Sequence, residues 1–348
     1  MKTIDKFFPF CYAVAMMMTF RRNEQERKEG KGQMSQTTPK HLWSGKRQKL
    51  WKEVRADWML YAFLIPGLLY IILFHYIPMY GVTYAFREYN PVLGPGEWVG
   101  LEIFRKLFSR VAFQRAFANN VLISVLKLVC GFPVPIILSL MINEIYSRRA
   151  KKVVQTAIIL PNFISWFIIS GLLFAMFNVT SGAFPGLIRA LNANAVVTNI
   201  LSDKETIRTV VIVSYVWQAS GMGTIVYLAA ITGIDAELYE AAMIDGAGKW
   251  KQMWHITLAT LKPTIIVLFI FRVGGVMNAG FDQIYALSNP LVVSKIDIID
   301  TYVYKIGIEQ AKFAEATAAG LAKSLIGLVL VLTTNAIAKK VDPASGIM

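Results

Sequence analysis

Charge, cysteine and histidine are all scarce in this chain of 348 residues. Only 17% of the residues are charged against 55% hydrophobic, too apolar a balance for a soluble enzyme of this length, so a polytopic membrane protein is expected. Two cysteines, Cys11 and Cys130, are too few for a disulfide framework, and His41, His75 and His255 are too scattered for a metal site. No stretch fits the phosphate loop G-x-x-x-x-G-K-[ST], so any ATP hydrolysis belongs to another chain. Negative charge is the scarcer sign: 22 Asp and Glu stand against 36 Lys and Arg, a formal net charge of +14. The basic residues lie mainly beside apolar runs rather than in a folded basic domain, which points to membrane topology and away from nucleic acid.

A membrane-crossing helix needs about 20 mostly apolar residues. Six segments qualify: Trp58–Tyr80, Ala116–Ile142, Val153–Phe177, Val210–Ile231, Pro263–Leu287 and Ala316–Ala338, an all-α fold of about six spans. Arg208, at the mouth of the fourth, and Arg272, inside the fifth, make those two less clean. Residues 1–57 carry Arg21, Arg22, Lys46, Arg47, Lys49, Lys52 and Arg55, and the second connection carries Arg148, Arg149, Lys151 and Lys152. Positive charge gathers on the cytoplasmic side, so the N-terminus is expected inside and 1–57 reads as a cytoplasmic basic tail before a transmembrane domain over 58–340. Arg87, Arg105, Lys106, Arg110 and Arg115 of the first connection oppose the bias, so the orientation rests on the sum. Six spans return the C-terminus, with Lys339 and Lys340, to the cytoplasm, and place the connection between the fourth and fifth spans there too.

Within the tail, Phe7–Phe20 is an apolar run too short to span. Two readings stand: an interfacial anchor, or an upstream extension of the gene over residues 1–33 with the working start at Met34. Further along, Asn90, Pro91, Gly94, Pro95 and Gly96 mark turns rather than helix in an ordered outer loop over Phe86–Phe108, and a short helix is expected at Phe184–Leu191.

The most informative run is DAELYEAAMIDGAGKWKQMWHITLATLKP, residues 235–263. Asp235 is a good N-cap, and Leu238, Tyr239, Ala242 and Met243 form one apolar stripe of a short helix. Asp245 and Gly246 supply a stop, since glycine reaches positive φ without a Cβ clash. A second short helix is expected with Trp250, Met253, Trp254 and Thr257 on one face, and Pro263 opening the next apolar segment. Such a hairpin carries an apolar face that its own residues cannot bury. It lies on lipid or docks onto a partner.

Glu240, Ala241, Ala242, Gly246, Ile256 and Leu258 resemble the EAA coupling loop of importer-type ABC transporter permeases, with one departure: Ala259 stands where many members carry proline. Tyr89-Asn90-Pro91, Trp98 to Glu102, Ala118 to Asn120, Leu160-Pro161, GFDQIY at 280–285 and DTYVYKIG at 300–307 are similar to the carbohydrate-type, LplB-like permeases of that family. The resemblance covers nearly everything after residue 57. It implies a type I importer fold that works by alternating access beside a second permease subunit, a distinct chain or a second copy, with two ATPase subunits and an extracytoplasmic solute-binding protein delivering an oligosaccharide. No cofactor would be bound by this chain, ATP and Mg²⁺ sitting on the ATPase partner. It also implies a bacterial plasma-membrane location, and coupling to the ATPase through Glu240, Ala241, Ala242, Asp245, Gly246 and Ala247.

Other polar residues at membrane depth are candidates for the translocation path. Arg272 falls near the middle of the expected fifth span, where a charge costs at least about 2.5 to 3.5 kcal/mol and must face protein or water. Gln283 returns to the same face of a continuous helix, with Asn278 and Asp282 on an adjacent one. This polar strip is either a path for sugar hydroxyls or a structural lock between subunits, of Arg272 on Asp or helix carbonyls. Trp217 and Gln218 are placed to stack on and bond a sugar, or to pack; Gly221 and Gly223 permit close helix contact. Lys323 is expected to snorkel, and Ser324 and Asn335 to bond across helices. A membrane-embedded enzyme would need paired carboxylates or a nucleophile and base, and only Asp282 offers itself. Permeases for peptides, amino acids or phosphate share the same coupling loop and form the nearer rival.

Overall fold

A computed structural model of the chain describes residues 58–192 and 198–341. The basic tail, its Phe7–Phe20 run and Met34 lie outside the described residues. Among the described residues five helices are long and apolar enough to cross a membrane, and a bent pair brings the number to six when it is counted as one span. Lipid offers the backbone no partners, so chain at that depth must satisfy its own N–H and C=O groups, which is why helices dominate.

The chain divides into two units, residues 1–80 and 81–348. Of the first, the described part is a helix from Trp58 to Ile71, with Pro66 inside it, continued by a π turn at Ile72–Tyr76 and a last helical piece at Ile77–Met79. It lacks any Asp, Glu, Lys or Arg, as expected of the first span.

The second unit opens with a two-stranded hairpin, Arg87–Asn90 against Gly94–Trp98, and a helix at Glu102–Ser109. This corrects the expectation of turns without helix over Phe86–Phe108. The turn residues there serve only the hairpin tip, where Asn90 Oδ1 accepts from the Val92 and Leu93 amides, and the helix gains an i,i+4 pair between Glu102 and Lys106 at 2.7 Å. The helix at Ala183–Leu191 falls where it was expected.

The second span runs Val111–Asn143, the fourth Ile207–Thr232 and the sixth Phe313–Ile337. The third is broken: helices over Arg148–Phe163 and Trp166–Phe177 meet at 98°. Pro161 lies in the 3₁₀ turn at the break, and Ser165 restarts the chain as an N-cap, its side chain accepting from the Ile168 amide. Gly221 fits against this break. A Cβ there would fall on the Ile158 carbonyl, and one at Gly223 would come within 3.0 Å of Pro135, so both glycines act in close helix contact.

The fifth span departs most from expectation. The second helix of the 235–263 hairpin does not end before it: Lys249–Gln252, a π turn at Met253–Thr257 and Leu258–Gly274 form one continuous helical rod. Ala259, a strong helix former in the place of a proline, lets it run on, and Pro263 sits inside it rather than at its start. The rod stops at Gly274, not Leu287, because Gly274, Gly275 and the left-handed Gly280 (φ +95°) break the helix that apolar content alone extends. Phe281–Leu287 is a separate short helix, followed by others at Val293–Ile296 and Ile299–Tyr304.

Two buried clusters hold this arrangement. Ala279, Ile284, Leu287, Val292, Ile296 and Ile298 from the broken segment pack on Ile123 of the second span and on Ile207, Val211 and Ile212 of the fourth. Leu107, Phe113, Ala116, Tyr302, Ile306 and Ala319 join the short helices to the second and sixth spans. Around them stand ion pairs of Arg110 with Glu315 at 2.7 Å, Lys305 with Asp297 at 2.9 Å and Lys323 with Asp300 at 2.6 Å. Lys323 therefore does not snorkel; it is held by a carboxylate. Ser324 bonds the Gly320 carbonyl of its own helix rather than crossing to another. At the start of the fourth span the Glu205 amide and the Thr206 hydroxyl bond the Asp203 carboxyl and hold it below its usual range.

Candidate functional site

The hairpin forms as its sequence dictates. Asp235 accepts from the Glu237 amide at 3.0 Å and starts a helix over Ala236–Ile244. It is closed by a paired C-terminal pattern: the Ala247 amide donates to Ala242 O at 2.8 Å and the Gly246 amide to Met243 O at 3.1 Å, with Gly246 at φ +76°. Ala242, Asp245, Gly246 and Ala247 thus have a common structural task, shaping the turn. Tyr239 and Thr257 share a 2.8 Å hydroxyl contact and Gln252 donates to Ala247 O at 2.8 Å, tying the turn to the rod. Tyr239 and Ala242 are half-buried, whereas Leu238, Met243, Trp254, Ile244 (87% exposed) and Trp250 (71% exposed) are left open. Glu240 and Ala241 are exposed, and Glu240 has no ion pair among the described residues.

At the other end of the rod lies a cavity of about 350 Å³, lined by Ser124, Lys127, Gly131, Tyr215, Arg272 and Asn278 among others. The continuous polar strip expected along the fifth span is not formed, since Arg272 occupies the last turn of the rod while Asn278, Asp282 and Gln283 follow the break. Arg272 and Asn278 do meet in the cavity. Arg272 Nη1 donates to the Tyr215 hydroxyl at 2.9 Å, and within the chain Arg272 forms no ion pair among the described residues. Gln283 is buried behind the cavity, donating to Val211 O and to Ser214 Oγ. Asp282 is exposed and does not line it, and Trp217 is an exposed residue of the fourth span, also outside the lining.

Lys127 carried no weight in the sequence reading and is central here. It stands halfway along the second span, buried, with Nζ donating to Ala279 O at 2.6 Å and to Gln283 Oε1, 4.6 Å from the centre of the Tyr215 ring. The signal was present as a lone cation inside an otherwise apolar run, where charge is expensive and calls for a named partner. Its neighbours extend the same device. Asn120 donates to Met277 O, Asn119 to Ser294 O and Asp297 O, and Arg208 to Lys295 O. Side-chain donors thereby satisfy the irregular backbone after the fifth span, the condition for such chain at membrane depth. Among the described residues no three His, Cys, Asp or Glu side chains converge as metal ligands.

Comparison with known proteins places this architecture. The profile of the binding-protein-dependent transport system inner membrane component family matches residues 131–346. Protein LplB of Bacillus subtilis (strain 168) is 42% identical over 86% of this chain and 95% of its own length. The polygalacturonan/rhamnogalacturonan transport system permease protein YteP of the same organism is 41% identical over 85% of this chain and 92% of its own. A chain in the crystal structure of a bacterial ABC transporter that imports the acidic polysaccharide alginate matches with a TM-score of 0.78 and 38% identity, over 84% of this chain and 99% of that one. A further match, equally close, is a chain of the bacterial alginate ABC transporter in complex with an alginate pentasaccharide-bound periplasmic protein. The chain belongs to the binding-protein-dependent transport system inner membrane component family and is an ABC transporter permease.

Proposed function

We propose that this permease carries a saccharide inward by alternating access, driven by ATP hydrolysis on separate subunits that dock on the 235–257 hairpin. One observation carries the reading: the hairpin with its open apolar face is the near end of a single helical rod whose far end, Arg272, lines the cavity. A rigid element touching both sites can be biased by either, which is what coupling requires. Twenty-six residues at about 1.5 Å each give a lever of about 39 Å. Glu240 and Ala241 lie on the exposed surface for the ATPase, while Ala242, Asp245, Gly246 and Ala247 keep the turn rigid.

The partners follow from what stands open. Arg272 and Asn278 of the cavity, and Trp217, are exposed in a single chain, which supports a second permease subunit closing the path. Two ATPase subunits bind ATP and Mg²⁺, and an extracytoplasmic binding protein delivers the solute. The saccharide assignment is supported by the relatives YteP and the alginate transporter, whose names state such cargo. The basic connection at Arg148 to Lys152 supports a cytoplasmic side for the hairpin and for both termini at the bacterial plasma membrane. The test is uptake by proteoliposomes of the whole complex. Glu240→Lys is expected to abolish saccharide uptake and the ATPase stimulation that loaded binding protein produces, with membrane insertion intact. Unchanged uptake would refute the coupling role.

A further inference from the structure

We infer that the cavity selects anionic saccharides, sugars bearing a carboxylate such as uronates, and that Arg272 is the residue that pairs with the carboxylate. The inference rests on the saccharide reading above, and the geometry supplies the sign of the charge. Two cations, Lys127 and Arg272, line one cavity of about 350 Å³, and neither has an ion pair among the described residues. The size falls at the small end of ligand sites.

Their contacts divide the work. Lys127 Nζ is committed, giving two of its donors to Ala279 O and Gln283 Oε1 and facing the Tyr215 ring, so it fixes the wall. Arg272 uses only Nη1, on the Tyr215 hydroxyl, and its other donors have no partner among the described residues. A planar guanidinium with free donors matches a carboxylate in two-point fashion. A second, independent observation points to a ligand. Ser124, buried on the same helix face as Lys127, lines the cavity with a hydroxyl that has no hydrogen-bond partner. Asn278 adds an amide. Sugar hydroxyls would satisfy both, and the carboxylate would neutralise the excess positive charge that an uncharged saccharide leaves in place.

The complex with its ATPases, partner permease and binding protein, reconstituted in liposomes, tests this with uronate trisaccharides and their carboxyl-reduced counterparts, each at concentrations that saturate the binding protein. We expect uronate uptake at least about tenfold faster than that of the neutral counterpart, matching the strength of a charged hydrogen bond. Arg272→Gln is expected to lower uronate uptake at least tenfold, and Arg272→Lys to recover part of it. Asn278→Asp, isosteric at an exposed position, puts a negative charge in the cavity without disturbing the fold. It should depress uronate uptake at least tenfold relative to Asn278→Ala, and by a larger factor than it depresses any neutral uptake. Equal transport of neutral and acidic sugars, transport of neutral sugars alone, or undiminished uronate uptake in Asn278→Asp would overturn the selectivity. If neither sugar class is taken up or stimulates ATP hydrolysis, the saccharide reading itself fails.

Discussion

The hairpin at residues 235–257 and the segment at 275–298 sit at opposite ends of one helical rod, and they are built in opposite ways. In the hairpin, apolar side chains are left open: Ile244, Trp250 and Trp254 face outward, and few side-chain contacts, chiefly Tyr239 with Thr257 and Gln252 with Ala247, hold it together. In the segment, irregular backbone is bound carbonyl by carbonyl to Asn119, Asn120, Lys127 and Arg208. On the proposed function the first is a surface that keeps its apolar groups available to a partner, and the second a wall that holds polar groups rigid towards the solute. The difference then separates where force would enter from where it would be used.

Substitutions that break the comparison should differ in what they destroy. The largest effect is expected from Gly221→Leu, which drives a side chain into the Ile158 backbone at the bend of the third span. Overpacking of this kind costs about 3 kcal/mol or more, and loss of the monodisperse peak in size-exclusion chromatography would register it. Gly246→Val comes next. A β-branched residue at φ +76° costs about 1 to 3 kcal/mol locally, so saccharide uptake should fall to background while the detergent-solubilised chain keeps its melting temperature.

Gln283→Leu should reverse that pattern. It takes one acceptor from Lys127 and leaves the Ser214 hydroxyl and Val211 carbonyl without their amide donor, a loss of about 1.5 to 3 kcal/mol visible as a lowered melting temperature. Tyr239→Phe is the mildest. Removing its contact with Thr257 costs about 0.5 to 1.5 kcal/mol, and it is expected to weaken ATPase stimulation by loaded binding protein a few-fold at unchanged melting temperature. A stability loss in Tyr239→Phe equal to that in Gln283→Leu would erase the distinction between the two regions.

The hairpin was legible in the sequence because its signals are local: an N-cap, an apolar stripe and a glycine that must turn. The spans were legible from length and apolar content. What escaped was set by distant partners. Lys127 could be seen as an expensive charge, but its acceptors Ala279 and Gln283 lie more than 150 residues away in sequence. The fifth span was drawn too far because Gly274, Gly275 and Gly280 add little polarity to an apolar average while acting together as a helix stop. Asp282 was aligned with Arg272 by assuming a continuous fifth helix, and the break leaves it outside the cavity lining.

The central claim is that the open face of the hairpin meets an ATPase rather than lipid. A photo-activatable cross-linker at Ile244, installed in the assembled complex and irradiated in native membranes, tests it most directly. We expect a covalent adduct of this chain with the ATPase subunit, its yield changing when ATP is bound. Adducts with lipid alone would contradict the docking role of the hairpin.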